Sequence, residues 1–195
     1  MKLSEVVFHK SVGLGSKELH LDEKSEIVFV GRSNVGKSSI MNALFEKKDL
    51  VKTSSRPGKT QMANMFLVEN KYYLTDLPGY GFAKLGKSLK DQLDGLISWY
   101  LEEKGQYIKN VIILIDSKLG AQEVDIDMYK YILELGLPVT IVLSKIDKIG
   151  KSEYGKSLEH TKHHFFGQEV IGVSSTKNIG VKQLSTIIKN SLLDK

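Results

Sequence analysis

Apolar residues recur at helical spacing in three stretches: Leu89, Leu93, Leu96, Ile97, Tyr100 and Leu101; Val124, Met128, Tyr131, Ile132 and Leu135; and Val181, Leu184, Ile187, Ile188 and Leu192. A period near 3.6 predicts amphipathic helices, and the stripes read as core. Between them lie short, nearly continuous apolar runs at 26–30, 111–115, 139–143 and 170–173, of the kind buried on both faces of a parallel sheet. Segments 62–68 and 71–75 flank Glu69-Asn70 and predict a hairpin, which makes the sheet mixed. The expected architecture is α/β, a mostly parallel six-stranded mixed sheet with helices on both faces. Residues 1–21 are expected as an N-terminal extension whose Val6-Val7-Phe8 patch adds an edge strand, and residues 22–195 as one further domain.

Where the first predicted strand gives way to a helix, residues 31–38 read GRSNVGKS. The pattern GxxxxGK(S/T) in that setting is a phosphate-binding loop. Its glycines let backbone N–H groups turn inward around an anion, and the helix N-terminus adds its positive dipole end. Lys37 is placed to neutralise outer phosphates and Ser38 to offer a hydroxyl to Mg²⁺. Asp76-Leu77-Pro78-Gly79 closes the second strand of the hairpin, supplying a carboxylate for the metal shell, expected to act through water, and a glycine N–H for a γ-phosphate. Ser144-Lys145-Ile146-Asp147 ends the run at 139–143, at the strand edge where open α/β sheets bind ligands. The Asp147 carboxylate complements guanine N1–H and N2–H₂, whereas adenine would face it with a lone pair. Ser174-Ser175-Thr176 follows the last strand, where a backbone N–H can meet guanine O6. These segments predict a GTP site that rejects ATP.

GRSNVGKS, RPGKT at 56–60, DLPGYGFA at 76–83 and SKID at 144–147 together resemble the EngB-type (YsxC/YihA) bacterial GTPases of the TrmE-Era-EngA-EngB-septin group. The resemblance covers residues from about 22 onward and implies the P-loop GTPase fold. It also implies GTP/GDP and Mg²⁺ as cofactors, a role in assembly of the large (50S) ribosomal subunit, and a link to division and septation. Candidate nucleotide contacts are then Gly31, Arg32, Ser33, Asn34, Val35, Gly36, Lys37, Ser38, Ser39, Gly58, Lys59, Thr60, Asp76, Leu77, Pro78, Gly79, Ser144, Lys145, Asp147, Ser174, Ser175 and Thr176. Metal contacts are Ser38, Thr60 and Asp76, and catalysis falls to Lys37, Thr60 and Gly79. Ser144 departs from the general pattern, which has Asn or Thr there, and predicts a weaker bridge to the phosphate loop. Asn34 is a candidate K⁺ ligand by resemblance, with structural capping as the alternative.

Tyr80 stands where many GTPases carry a water-orienting glutamine, and a phenol does not replace it. Intrinsic hydrolysis is therefore expected to be slow, on the order of 10⁻⁴ to 10⁻² per second. The alternative is that Tyr80 simply packs. A non-enzymatic, nucleotide-gated protein of the division machinery remains the competing functional class.

Composition narrows the setting. The chain has 195 residues, 41% hydrophobic, with no cysteine and no long apolar run, so disulfide, thiolate-metal and membrane-spanning classes are excluded and a cytoplasmic monomer is expected. Charge is uneven. Loops 47–60 and 80–92 hold eight basic and two acidic side chains, a net +6 against +5 for the whole chain. These are the segments expected to move with nucleotide, so they predict a phosphate-backbone contact, ribosomal RNA by resemblance. Lys47, Lys48 and Lys84 are expected to lie outside the phosphate cradle. The segment HTKHH at 160–164 reads as a solvated helix face before it reads as a metal site.

Overall fold

Each strand of the computed structural model, which describes residues 1–17, 19, 23–52, 61–81 and 86–193, joins one sheet. In chain order these are β1 Val6–Val12, β2 Glu26–Gly31, β3 Ala63–Val68, β4 Tyr72–Asp76, β5 Ile108–Asp116, β6 Val139–Ser144 and β7 Val170–Val173. Their spatial order is β1-β3-β4-β2-β5-β6-β7. The β1/β3 and β3/β4 pairs are antiparallel, and every other pair is parallel. The six expected strands are present and β1 is the seventh. Glu69 and Asn70 both take positive φ, 47° and 55°, giving a two-residue turn whose twist suits a hairpin.

Among the described residues five α-helices cover the faces: α1 Lys37–Phe45, α2 Lys87–Lys104, α3 Glu123–Glu134, α4 Lys151–His164 and α5 Val181–Leu193. Helices α1 and α5 bury Ile40, Met41, Leu44, Leu184 and Ile188 with Ile27, Phe29, Ile112 and Leu114 of the sheet. On the opposite face, Ile97, Tyr100 and Leu101 of α2 and Tyr129 and Ile132 of α3 pack on Val28, Val30, Val111 and Ile113. β1 serves both layers because a bulge at His9 shifts its register between Phe8 and Lys10. Val6 faces one core and Val12 the other, which strict alternation of faces would forbid.

One place departs from the expected helical stripes and another from the apolar strand runs. Val124, read as core, is 39% exposed, whereas its neighbour Asp125 is wholly buried. Glu26, at the start of β2, is also wholly buried; it accepts hydrogen bonds from the Tyr100 and Thr75 hydroxyls, joining β2, β4 and α2. Among the described residues no helix is long and apolar enough to cross a membrane. The boundary between residues 21 and 22 lies outside the described residues, as do Arg56, Gly58, Lys59, Thr60 and Lys84.

Candidate nucleotide site

The parallel strands β2, β5, β6 and β7 end together, and the loops that follow them meet. After Gly31 the chain reverses over Arg32–Gly36 and enters α1 at Lys37. The turn needs Asn34 at φ 61° and Gly36 at φ 109°; a Cβ on Gly31 would lie 2.8 Å from the Leu114 carbonyl oxygen. Helix α1 has Gly36 at its N-cap and no side chain capping it, so its first N–H groups face the loop's interior. Asn34 is exposed at this turn.

Lys37 is buried, with its Nζ 3.3 Å from the Gly31 carbonyl oxygen. Burial holds its pKa below the ordinary lysine value, against the pull of the Asp76 carboxylate. Asp76 ends β4 and accepts a hydrogen bond from Ser38 Oγ at 3.2 Å on one oxygen, while its buried Oδ1 has no protein partner. Desolvation raises the Asp76 pKa, opposed by Lys37 and by the Ser38 hydroxyl. A buried anion with an unsatisfied oxygen and a hydroxyl bonded to it, beside a buried cation, fit an oxygen-seeking divalent ion such as Mg²⁺. Leu77 and Pro78 are buried behind them, and Ser39 is exposed on the first turn of α1.

The base-side segments are tied to this loop. Ser144, fully buried, places its hydroxyl 2.7 Å from the Val35 carbonyl oxygen and 3.1 Å from that of Ile115. The expected bridge is therefore made, with one donor where an amide would offer two. Lys145 adopts φ 58° and spans from the Asn34 carbonyl oxygen at 2.7 Å to Asp116 Oδ2 at 2.8 Å. Asp147 accepts the buried Ser174 hydroxyl at 2.6 Å on one oxygen and the exposed Thr176 hydroxyl at 3.1 Å on the other. The Ser174 bond, chiefly, lowers the Asp147 pKa, so the group is an anionic acceptor at neutral pH. Ser175 lines a cleft of about 470 Å³ with Ser39, Asn42, Lys47 and Lys48. None of residues 31–38 of the phosphate loop lines that cleft.

DLPG and the phosphate loop are in direct contact. A Cβ on Gly79 would stand 2.8 Å from both the nitrogen and the Cα of Ser33. The Tyr80 N–H donates to the Gly31 carbonyl at 3.3 Å, and the Ser33 N–H donates to the Tyr80 carbonyl at 3.2 Å. The Tyr80 ring turns inward, 3% exposed, and its hydroxyl donates to Asp125 Oδ1 at 3.0 Å. Burial first, then the adjacent carboxylate, pushes the phenol well above its ordinary pKa. The packing alternative for Tyr80 is what the structure shows. Asp125 is the residue sequence reasoning missed; the available signal was the spacing of Gln122 and Asp125 across a helix start, which forms a capping box.

The described lysines of the two basic loops, Lys47, Lys48, Lys52, Lys87 and Lys90, are exposed. On α4, Nε2 of His160 and His164 lie 3.2 Å apart, and among the described residues no three metal-binding side chains converge.

A family model described as "50S ribosome-binding GTPase" matches residues 26–145. The "Probable GTP-binding protein EngB" of Thermoanaerobacter pseudethanolicus is 40% identical over 191 residues, covering 97% of this chain and 98% of that protein. Among solved structures, a probable GTP-binding protein engB superposes with TM-score 0.74 at 24% identity, over 88% of this chain and 100% of that one. Era in complex with MgGDPNP and a 16S ribosomal RNA fragment superposes with TM-score 0.67 at 24% identity, over 96% of this chain and 59% of that one. The architecture is that of the P-loop GTPases. With the four motif-bearing segments gathered at one sheet edge and this likeness along nearly the whole chain, the protein belongs to the EngB family of GTP-binding proteins.

Proposed function

We propose that this GTPase is a guanine-nucleotide switch that binds GTP and GDP with Mg²⁺, hydrolyses GTP slowly alone, and acts in the cytoplasm in assembly of the large ribosomal subunit. The observation that carries the reading is the convergence of Lys37, Ser38, Asp76 and Asp147 around one loop, with Ser144, Lys145 and Tyr80 hydrogen-bonded to that loop. Lys37 and the first N–H groups of α1 would receive the phosphates, and Ser38 and Thr60, with Asp76 acting through water, would hold the metal. A divalent ion held there would supply charge to offset that developing on the transferred phosphoryl group. Asp147, fixed by Ser174, selects guanine. Hydrolysis moves the γ-phosphoryl group to water, giving GDP and phosphate. Slow turnover follows from the inward turn of Tyr80, which leaves no side chain at that position to orient the water. K⁺ beside the exposed Asn34 would add charge stabilisation.

For the ribosomal role the support is the exposed lysines of the basic loops together with the family relationship, and the septation link rests on the family resemblance alone. Binding of GTP, GDP and ATP, with phosphate release followed with and without large subunits, tests the proposal. Guanine nucleotides should bind and ATP should not, release should be slow and accelerated by subunits, and subunit binding should weaken with added salt. Equal affinity for ATP, or indifference to large subunits, would overturn the corresponding half of it.

A further inference from the structure

Asp125 has no part in the nucleotide segments, yet three groups from three regions converge on it. It sits on the first turn of α3, wholly buried. Oδ1 accepts the Tyr80 hydroxyl at 3.0 Å and Oδ2 accepts the Gln122 N–H at 3.0 Å. Arg32 Nε lies 3.1 Å from Oδ2 as an ion pair, and the same guanidinium donates to the Gly120 carbonyl at 3.3 Å. A carboxylate alone among side chains accepts on both oxygens while balancing a cation.

The two residues it holds are not arbitrary. Arg32 and Tyr80 are the two sides of the isolated parallel bridge between phosphate loop and DLPG. Immediately before Tyr80 comes Gly79, seated on Ser33 too closely for any Cβ. Immediately after it comes Gly81, at φ 72°, whose own Cβ would meet Arg32 Cγ and Val124 Cγ2 at 3.4 Å. The path of the glycine that should meet the γ-phosphate is therefore fixed from behind by α3.

We infer that Asp125 is a positioning residue of the GTPase site, holding Gly79 of DLPG against the phosphate loop through Tyr80 and Arg32. The inference rests on the proposed GTP switch. It separates triphosphate recognition from diphosphate recognition, because Lys37, Ser38 and Asp147 serve both nucleotides and only the Gly79 contact is particular to the γ-phosphate. It also gives Tyr80 a role other than aiming water: its hydroxyl is the peg by which α3 holds the switch segment.

The test compares wild type with Asp125→Asn and Tyr80→Phe by titration calorimetry with GDP and a non-hydrolysable GTP analogue. Asp125→Asn keeps size and the ability to accept from Gln122, and loses the charge facing Arg32. The analogue-to-GDP affinity ratio should fall about tenfold, with GDP affinity within about twofold of wild type, as expected for loss of a charge-assisted buried bond. Tyr80→Phe should shift the ratio the same way by about threefold to tenfold. The double variant should fall short of the sum of the two single effects, since Asp125→Asn already takes the charge from the acceptor of the Tyr80 hydroxyl. Equal losses of GDP and analogue in these variants, or an unchanged ratio, would overturn the inference. Should Asp125→Asn fail to fold, Tyr80→Phe decides by the same criterion. Absence of guanine-nucleotide binding by wild type would instead sink the proposed function itself.

Discussion

Two buried carboxylates in this protein each receive a tyrosine hydroxyl, and they do opposite work. Glu26 takes Tyr100 and Thr75, all on β2, β4 and α2, whose backbones are fixed by sheet pairing and by a core of aliphatic side chains. Asp125 takes Tyr80 and faces Arg32, neither of which lies in a long element: one opens the segment after DLPG, the other lies in the phosphate loop. The same bond is a rivet in the first case and a clasp in the second. What differs is the backbone carrying the donor, so the chemistry of a buried pair does not by itself reveal whether it stabilises a fold or sets a switch.

Asp147 is a third carboxylate, assigned to the guanine base in the proposed function, and it sharpens the contrast with the largest expected effect. Asp147→Asn should exchange guanine for xanthine preference, changing the GTP-to-XTP affinity ratio by roughly 10³-fold or more, read by competition binding, with the unfolding transition little changed. Next comes Glu26→Ala, which leaves the Tyr100 and Thr75 hydroxyls without their shared acceptor and opens a void. It should lower unfolding free energy by about 2–5 kcal/mol in denaturant titrations, and leave the analogue-to-GDP ratio of the folded fraction unchanged. A shift in that ratio would erase the distinction between rivet and clasp.

Tyr100→Phe and Tyr80→Phe remove the same atom from the two clusters. The first should cost about 1–2 kcal/mol of stability and spare nucleotide discrimination, whereas the second should alter discrimination. The smallest effect is on pH dependence. Burial raises the Asp125 pKa in the folded state, opposed by Gln122, Arg32 and Tyr80. Between the ordinary aspartate value and that raised value the folded protein binds a proton that the unfolded chain does not. Its contribution therefore improves as pH falls and worsens as pH rises through the folded pKa. In nucleotide-free protein, wild type should gain stability relative to Asp125→Asn on acidification from neutral. The opposite slope would mean that the Arg32 and hydrogen-bond contributions outweigh desolvation.

The sheet and the nucleotide segments were legible because their signals are local: apolar runs of strand length, helical stripes, and short motifs at strand ends. Asp125 was not legible. The stripe on α3 was drawn through Val124, since a charged residue is ordinarily assigned to solvent; its burial depends on Arg32 and Tyr80, distant in the chain and brought near only by the fold. β1 was read from Val6-Val7-Phe8 and extends to Val12 because β3 offers a further stretch of edge, and the bulge at His9 conceals the alternation that would have marked it. Residue type told that Ser144 has one donor for its bridge but not how closely the phosphate loop approaches it, 2.7 Å from its hydroxyl to the Val35 carbonyl oxygen.

The edge position of β1 has a consequence for synthesis. Translation makes this strand first, but its antiparallel partner β3 comes much later, with Val6 facing Val68. At about 5–20 residues per second the nascent strand waits roughly 3–12 s for its mate. During that interval Val6 and Val12, destined for opposite cores, have no sheet to separate them. Polar His9, Lys10 and Ser11 interrupt the segment and keep it a poor template for strands of other nascent chains. The strand that closes the sheet's edge in the finished molecule is thus the one whose capture is longest deferred, and ribosome-bound chains ending before β3 should leave it open to proteolysis.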